Sequence, residues 1–189
     1  MYKYLVTCLV MAALVLAISC SERRKADYEV QAELQLIDTL NQRLLTVRDW
    51  LDKMPLKEIN ERIEIIDNNL AFINDQMAEQ KSESDEETSR LLVEYKSYAV
   101  MYQRAADSFT HIVTRMEELV IQLKTLKESA YSKDYKKDIF LAYFHREKKE
   151  VLDLYRYAAL LLKPLVDTDF SFDRTEKQVE ELAESLKSA

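Results

Sequence analysis

The stretch LKEINERIEIIDNNLAFINDQM, residues 56–77, has an apolar residue at alternating intervals of three and four along its whole length. Its repeating residues are Leu56, Ile59, Ile63, Ile66, Leu70, Ile73 and Met77. This alternation places them on one face of an α-helix, which turns once in about 3.6 residues. The chain has no glycine and only two prolines in 189 residues, so the tight turns that favour glycine are hard to form. The sequence therefore predicts an all-α protein with long helices.

Apolar repeats of the same type continue through most of the chain beyond residue 27. In residues 28–53, two interleaved rows of apolar residues with seven-residue spacing form the seam of a coiled coil. The seam consists of Val30, Ile37, Leu44 and Leu51, with Leu40, Val47 and Met54 between them. We expect one domain over residues 28–189, an elongated antiparallel bundle or coiled coil of four to five helices. The predicted helices cover residues 28–53, 55–80, 86–130, 134–163 and 173–187.

The helix predicted over residues 86–130 is the longest, and three rows of mainly apolar residues run along it. The rows start at Leu91, Leu92 and Tyr95 and continue in steps of seven. A face of this width can contact more than one neighbour, so we expect this helix at the centre of the bundle. The short link around Ser132 predicts an antiparallel hairpin with the next helix, in which Tyr155 lies opposite Phe109.

The two prolines indicate helix boundaries. Pro55 is compatible with the first turn of a helix, so it marks either a reversal or a kink after the first helix. Pro164 should end the fourth helix, because the residue before a proline is biased towards extended geometry. We expect an irregular stretch at residues 165–172, followed by a last helix that starts with a capping box, DRTE, at residues 173–176.

An apolar run near the N-terminus ends in a cysteine. The run, residues 5–18, is shorter than the ~20 residues that a membrane-spanning helix needs and has the length of a signal-peptide core. Its end, LAISC at residues 16–20, resembles the lipobox of bacterial lipoproteins. The resemblance implies cleavage between Ser19 and Cys20 and acylation of Cys20 with fatty acids such as palmitate. Residues 1–19 would then be the signal peptide, and residues 20–27 the lipidated N-terminus and a spacer.

An uncleaved membrane anchor is the competing interpretation. Arg23, Arg24 and Lys25 follow the apolar run, whereas only Lys3 precedes it, which favours a cytoplasmic C-terminal side. Cleavage is preferred because the run is short and because the other cysteine, Cys8, would leave with the signal peptide. The resemblance implies a location in the bacterial cell envelope. A serine in place of an aspartate after the acylated cysteine favours the outer membrane, with the protein facing the periplasm.

The chain lacks the sequence motifs of common active sites. Without glycine there is no phosphate-binding loop, dinucleotide fingerprint or nucleophile elbow. Asp107, His111 and Arg115 share one stripe of a helix, which indicates a surface row of ion pairs. A net charge of −7 disfavours nucleic-acid binding. We expect a protein that is not an enzyme, with no catalytic residue, metal, cofactor, small-molecule substrate or nucleic-acid partner.

Tyrosines form one candidate interaction face, because tyrosine is enriched at protein interfaces. The candidate residues are Tyr95, Tyr98, Tyr102, Tyr155 and Tyr157. Packing in the core of the bundle is the alternative, and we favour it.

A second candidate is the polar stretch HREKKE, residues 145–150, which interrupts the apolar seam of the fourth helix. Either Glu147 or Lys148 must take a seam position. The stretch is either a polar site that sets the register or binds a partner, or a solvent-facing segment where the helices diverge. We favour the solvent-facing interpretation.

Two functional hypotheses follow from these features. The first is a membrane-anchored envelope lipoprotein that acts as a non-enzymatic scaffold or protein-interaction module. It would bind a protein partner or associate with itself through the apolar rows at residues 92–106. The alternative is a periplasmic client-binding or chaperone-like helper, with a cleft where the tyrosines of the third and fourth helices converge.

The lipobox interpretation predicts that Cys20→Ala abolishes fatty-acid incorporation. The thiol and amino group that would be acylated belong to this residue, so metabolic labelling with a palmitate analogue should give a labelled wild-type band and an unlabelled variant band. Cys8→Ala is the matched control and should leave incorporation into the mature band unchanged. Equal labelling of wild type and Cys20→Ala would exclude lipidation at this residue.

Overall fold

The computed structural model describes residues 30–80, 85–132 and 135–188, with the backbone alone at residues 169 and 170. The predicted signal peptide, the cleavage and lipidation site at Ser19 and Cys20, and the spacer at residues 20–27 lie outside the described residues. The helices are α1 (Gln31–Lys53), α2 (Leu56–Gln80), α3 (Glu86–Ser129), α4 (Lys137–Leu161) and α5 (Lys163–Ser188). Within these ranges no strand occurs, and the all-α fold class is confirmed. None of these helices is both long enough and apolar enough to span a membrane.

The chain divides into two compact units. Unit 1 consists of Met1–Leu44 and Glu117–Leu152, and unit 2 of Leu45–Met116 and Asp153–Ala189. The boundaries therefore fall inside α1, α3 and α4. The expectation of one continuous bundle over residues 28–189 stays a prediction.

The core of unit 1 is formed by apolar residues from three helices. Buried residues come from α1 (Leu34, Ile37, Leu40, Leu44), α3 (Leu119, Leu123, Leu126) and α4 (Phe140, Phe144, Val151). All seven residues of the seam predicted for the first helix are buried, so that seam is confirmed. Near the surface, Lys127 of α3 forms a 2.6 Å ion pair with Asp38 of α1. The hydrogen bond in this pair raises the pKa of Lys127.

Phe172 of α5 is the centre of an aromatic cluster in unit 2. Its ring lies 6.1 Å from that of Tyr95, 5.5 Å from that of Tyr98 and 5.4 Å from that of Tyr102. All four side chains are buried, and burial raises the pKa of Tyr95 to about 12. Ile59, Ile66 and Ile73, the fully buried members of the repeat in residues 56–77, belong to the same unit.

Arg62 of α2 extends over this aromatic cluster. Its guanidinium carbon is 4.8 Å from the Phe172 ring centroid. The same group donates hydrogen bonds of 2.7 Å to the Tyr102 hydroxyl and 2.8 Å to the Glu58 carboxylate. A cation next to an apolar core thus has both a carboxylate and aromatic faces as partners, which offsets the cost of removing it from water.

The start of α3 is capped by Asp85. Its carboxylate accepts a 2.7 Å hydrogen bond from the backbone N–H of Thr88, as expected of an N-cap aspartate. This hydrogen bond lowers the pKa of Asp85. The capped helix begins at Glu86, the residue at which the sequence pattern predicted its start.

The prediction for residues 163–176 is wrong. Helix α5 begins at Lys163 and continues through the stretch expected to be irregular, and residues 173–176 lie inside it rather than at its start. Pro164 does not stop the chain from being helical, because it lies in the first turn, where its missing N–H would have no intrahelical partner. Leu165, Phe172 and Val179 are seven residues apart and all buried, so packing of this row stabilises the continuous helix.

The hairpin register predicted for the third and fourth helices agrees with the structure to within one residue. The hydroxyl of Tyr157 lies 2.6 Å from the hydroxyl of Ser108, whereas the predicted register placed Tyr157 opposite residue 107. The His111 ring is also near Tyr157, at 6.4 Å between centroids. Both contacts place Tyr157 beside the segment of α3 that the predicted register assigned to it.

Glu176→Gln should stabilise the protein at pH 7. Partial burial, together with the neighbouring carboxylates of Glu180 and Asp173, raises the pKa of Glu176 above its ordinary value of 4.5. The folded state thus favours the protonated form, and stability is lost as the pH rises through the raised pKa. The glutamine removes that loss, and the gain should be less than about 1 kcal/mol because solvent screens a partly exposed group.

Urea titrations at pH 7 and at pH 4 measure this effect. The gain should shrink towards zero at pH 4, below the ordinary pKa, where the wild-type carboxyl is mostly protonated in both states. Glu184→Gln, an exposed carboxylate of the same helix, is the matched control and should change little at either pH. A gain that persists at pH 4 would show that the charge of Glu176 is not its cause.

Candidate functional site

A cavity of about 550 Å³ lies in unit 1, between the end of α3, the link that follows it and the start of α4. Its α3 wall contains Ile121, Gln122, Thr125, Leu126 and Ser129, and its α4 wall contains Ile139, Phe140, Tyr143, Arg146 and Glu147. Within each set, successive residues are either adjacent in sequence or three to four positions apart, so each set lies on one face of its helix. Ser132, Tyr135 and Lys136 of the link also line it. The volume is within the range of small-ligand sites, roughly 300–1,000 Å³.

Apolar side chains surround the mouth of the cavity. Ile121 is 64% exposed, and Ile139 and Tyr143 are about half exposed. Deeper in the cavity, Leu126 and Phe140 are buried. Exposed apolar side chains that lead into an apolar cavity are a feature of binding sites, because a ligand that covers them removes their surface from water.

Glu147 is the charged residue of the inner wall, and only 3% of it is exposed. One carboxylate oxygen, Oε1, accepts hydrogen bonds from Arg146, at 2.9 Å from Nε and 2.6 Å from Nη2. The other oxygen, Oε2, is buried without a hydrogen-bond partner among the described residues. The Arg146 guanidinium also lies 4.9 Å from the ring centroid of Tyr143. A half-paired buried carboxylate is costly, so this oxygen is a ready acceptor for a ligand.

Other oxygens of the cavity wall are also acceptors. The side-chain oxygen of Gln122 is buried without a hydrogen-bond partner among the described residues. The hydroxyls of Thr125 and Ser129 donate to backbone oxygens of their own helix, at 2.9 Å and 2.7 Å. Because a hydroxyl has only one hydrogen to donate, both can only accept from a ligand.

The preferred interpretation of residues 145–150 is wrong at Glu147. This residue does not face solvent but takes the seam position, while Lys148 is partly exposed. The signal was present in the sequence, because Phe140, Phe144, Glu147, Val151 and Leu154 follow the same alternation of four and three as an apolar face. The burial of Glu147 fits the competing interpretation, a polar site that sets the register or binds a partner.

The structure does not assemble the five candidate tyrosines into an exposed face. Tyr95, Tyr98 and Tyr102 are buried around Phe172, as the packing alternative expected. Tyr155 is half-buried against Trp50, with ring centroids 5.5 Å apart. Only Tyr157 is largely exposed. The tyrosines that line a cavity are instead Tyr135 and Tyr143, which the sequence did not distinguish from the others.

The two histidines lie apart from the cavity lining. His111 is exposed next to Tyr157, and His145 packs against Phe144 with ring centroids 5.5 Å apart. The neighbouring Asp107 accepts a 2.8 Å hydrogen bond from Gln103. Among the described residues no group of three or more His, Cys, Asp or Glu side chains is arranged to hold a metal ion.

Arg146→Ala should destabilise the protein by about 1–3 kcal/mol. The substitution leaves the buried Glu147 carboxylate without its cationic partner, although more than half of Arg146 is exposed and solvent moderates the loss. Chemical denaturation followed by circular dichroism measures the change. Adding Glu147→Gln should recover part of the loss, because the buried charge is then also removed.

Arg156→Ala in the same helix is the matched control. Its ion pair with Asp153 is 3.5 Å long and exposed on both sides, so we expect a loss below about 0.5 kcal/mol. Equal losses for the two arginine variants would contradict the special role assigned to the Glu147 pair.

Comparison with protein-family models, curated proteins and solved structures found no match to this chain. The function proposed for it therefore rests on its own residues.

Proposed function

We propose that the protein is a non-enzymatic binding module of a bacterial cell envelope, and that the cavity of unit 1 holds an apolar part of a protein client. The observation that carries this proposal is the cavity of about 550 Å³ with exposed apolar residues at its mouth. It supports the client-binding hypothesis, although that hypothesis placed the cleft where the tyrosines of the third and fourth helices converge, and no tyrosine of α3 lines this cavity. Tyr135 and Tyr143, from the link and from α4, both line this cleft.

The apolar surface in the cavity and around its mouth supports a protein client. Ile121, Ile139 and Tyr143 at the mouth extend the apolar surface of the cavity outwards. A partner that inserts side chains into the cavity would cover this rim as well, and the apolar area removed from water contributes about 25 cal/mol per Å². Aromatic and apolar anchors that enter a pocket commonly dominate the energy of protein interfaces.

Membrane attachment is the second part of the proposal. Acylation of Cys20 would hold the module at the membrane, and the outer membrane with the module facing the periplasm is the location we propose. The support comes from the lipobox-like residues 16–20 and the short apolar run before them.

A scaffold that associates with itself is the second candidate function. The observation in its favour is an exposed pair of apolar residues on α3, Val93 and Val100, one heptad apart. These residues belong to the segment 92–106 for which the sequence predicted self-association. They lie in unit 2, whereas the cavity lies in unit 1, so the two functions can be tested separately.

Photo-crosslinking in living cells tests the client-binding proposal. With benzoyl-phenylalanine in place of Tyr143 in the full chain, we expect ultraviolet light to give adducts of higher mass. The same replacement at Tyr131 is the matched control, because Tyr131 is a tyrosine of unit 1 with almost the same exposure, 51% against 49%, but does not line the cavity. Tyr131 should give no such adduct.

Further variants assign the adduct to the cavity. Ile139→Asp should reduce the Tyr143 adduct at least about fivefold, because a charge at the mouth opposes burial of apolar client groups. If benzoyl-phenylalanine in place of Val100 gives adducts and the same replacement of Tyr143 gives none, the scaffold function would be favoured. An adduct at position 143 that Ile139→Asp leaves unchanged would contradict client binding in the cavity.

A further inference from the structure

The geometry points to a specific chemistry for the client: we propose that the group that enters the cavity is a basic side chain, lysine or arginine, whose cationic end donates hydrogen bonds to Glu147 and Gln122. This inference rests on the proposed function and adds the identity of the anchoring group. It starts from the two buried oxygens of the inner wall, Oε2 of Glu147 and Oε1 of Gln122, which have no hydrogen-bond partner among the described residues.

The buried oxygens of the two helix walls, those of Gln122 and Glu147, can only accept hydrogen bonds, whereas the Tyr135 hydroxyl of the link can both donate and accept. An acceptor is satisfied only by a donor, so a ligand that brings further carbonyl or carboxylate oxygens would leave both oxygens unpaired. The hydroxyls of Thr125 and Ser129 already donate to their own helix and strengthen the preference for a donor. Leaving a buried polar group unpaired has a cost, and a ligand that donates hydrogen bonds removes that cost.

The charges around Glu147 determine whether a cationic donor is acceptable. Arg146 is next to it but directs Nε and Nη2 at the same oxygen, Oε1, and leaves Oε2 to another donor. Lys136 is the other cation of the lining, and it is exposed, where water and salt screen its charge. The charge of Arg146 is paired through Oε1 and lies on a side chain that is 60% exposed, so the acceptor left for an inserted donor is the buried oxygen Oε2.

Lysine and arginine side chains fit the rest of the cavity as well. Each has an apolar stem that can pack on Leu126, Phe140 and the ring of Tyr143, which form the apolar part of the wall. Each carries its donors at the far end of that stem. A fully apolar side chain would fill the same space but leave both oxygens unpaired.

The test uses photoreactive mimics of these side chains on the full chain in cell membranes. Three alkyl diazirine probes of equal length are compared, ending in a primary amine, a hydroxyl or a carboxylate. Trypsin releases residues 138–146, which carry Ile139, Phe140 and Tyr143 of the cavity wall. We expect this peptide to be labelled most by the amine and least by the carboxylate. The ratio of amine to hydroxyl labelling should be at least about tenfold higher in the wild type than in Glu147→Gln.

Glu150→Gln is the matched control, since it makes the same chemical change on the same helix outside the cavity lining, and it should keep the wild-type ratio. If Glu147→Gln loses helix content by circular dichroism, Gln122→Met takes its place, and amine labelling should then fall severalfold. Equal labelling by the amine and the hydroxyl, a preference for the carboxylate, or no labelling of the peptide would overturn the inference. If benzoyl-phenylalanine in place of Tyr143 still gives adducts, those three outcomes would overturn only the basic anchoring group and leave client binding intact. Loss of these adducts would refute client binding and the basic anchoring group together.

Discussion

Burial of a continuous apolar face along each helix is the constraint on which both units depend. With no glycine and few prolines, the chain gains its tertiary stability by packing long helices side by side, and most of that stability comes from the buried faces rather than from intrinsic helix propensity. Any polar residue that the repeat places on such a face must find a partner or be left unpaired. The two units meet this demand in different ways.

In unit 2 the polar group beside the core is well supplied with partners. Arg62 donates hydrogen bonds to Glu58 and Tyr102 and lies over the ring of Phe172. Its charge is therefore paired with a carboxylate, and its planar face packs on an aromatic ring. In unit 1, by contrast, Glu147 is paired through one oxygen only. The first arrangement stabilises a fold and leaves little for a ligand to add. The second leaves a buried acceptor at the wall of a cavity, which is why we place the functional site in unit 1.

The helical repeat made most of the fold predictable from the sequence. The bounds of α2 and α3 agree with the predicted ones to within one residue, because Pro55 precedes one clear apolar repeat and a stretch without apolar residues, 80–88, separates it from the next. The predicted start of α5 is wrong because Pro164 is typical of a helix end, whereas the buried row Leu165, Phe172 and Val179 stabilises a helix that continues through this stretch. A proline in a first turn has no cost in hydrogen bonding, so the buried row determines where α5 begins.

The site was less predictable than the fold for a physical reason. The repeat shows that either Glu147 or Lys148 must occupy the seam, but only the packing of α3 against α4 in unit 1 determines which of the two is buried and leaves a cavity beside it. Likewise, sequence spacing does not single out Tyr135 and Tyr143 of the cavity from the tyrosines around Phe172, since all of them lie in or next to helices with apolar repeats. Cavities arise where facing side chains fail to fill the space between helices, and this depends on pairs of residues far apart in the sequence.

The position of the cavity in unit 1 also limits where it can act. Unit 1 contains the start of α1, and Val30 is ten residues from Cys20. An extended chain spans at most about 3.6 Å per residue, so acylation of Cys20 would hold Val30 within roughly 36 Å of the lipid surface. Under the proposed acylation, unit 1 would therefore be the part of the chain that is tethered directly. A client whose basic residue enters the cavity would be bound within a few tens of ångströms of the membrane, as expected for a module that acts on segments close to the membrane surface.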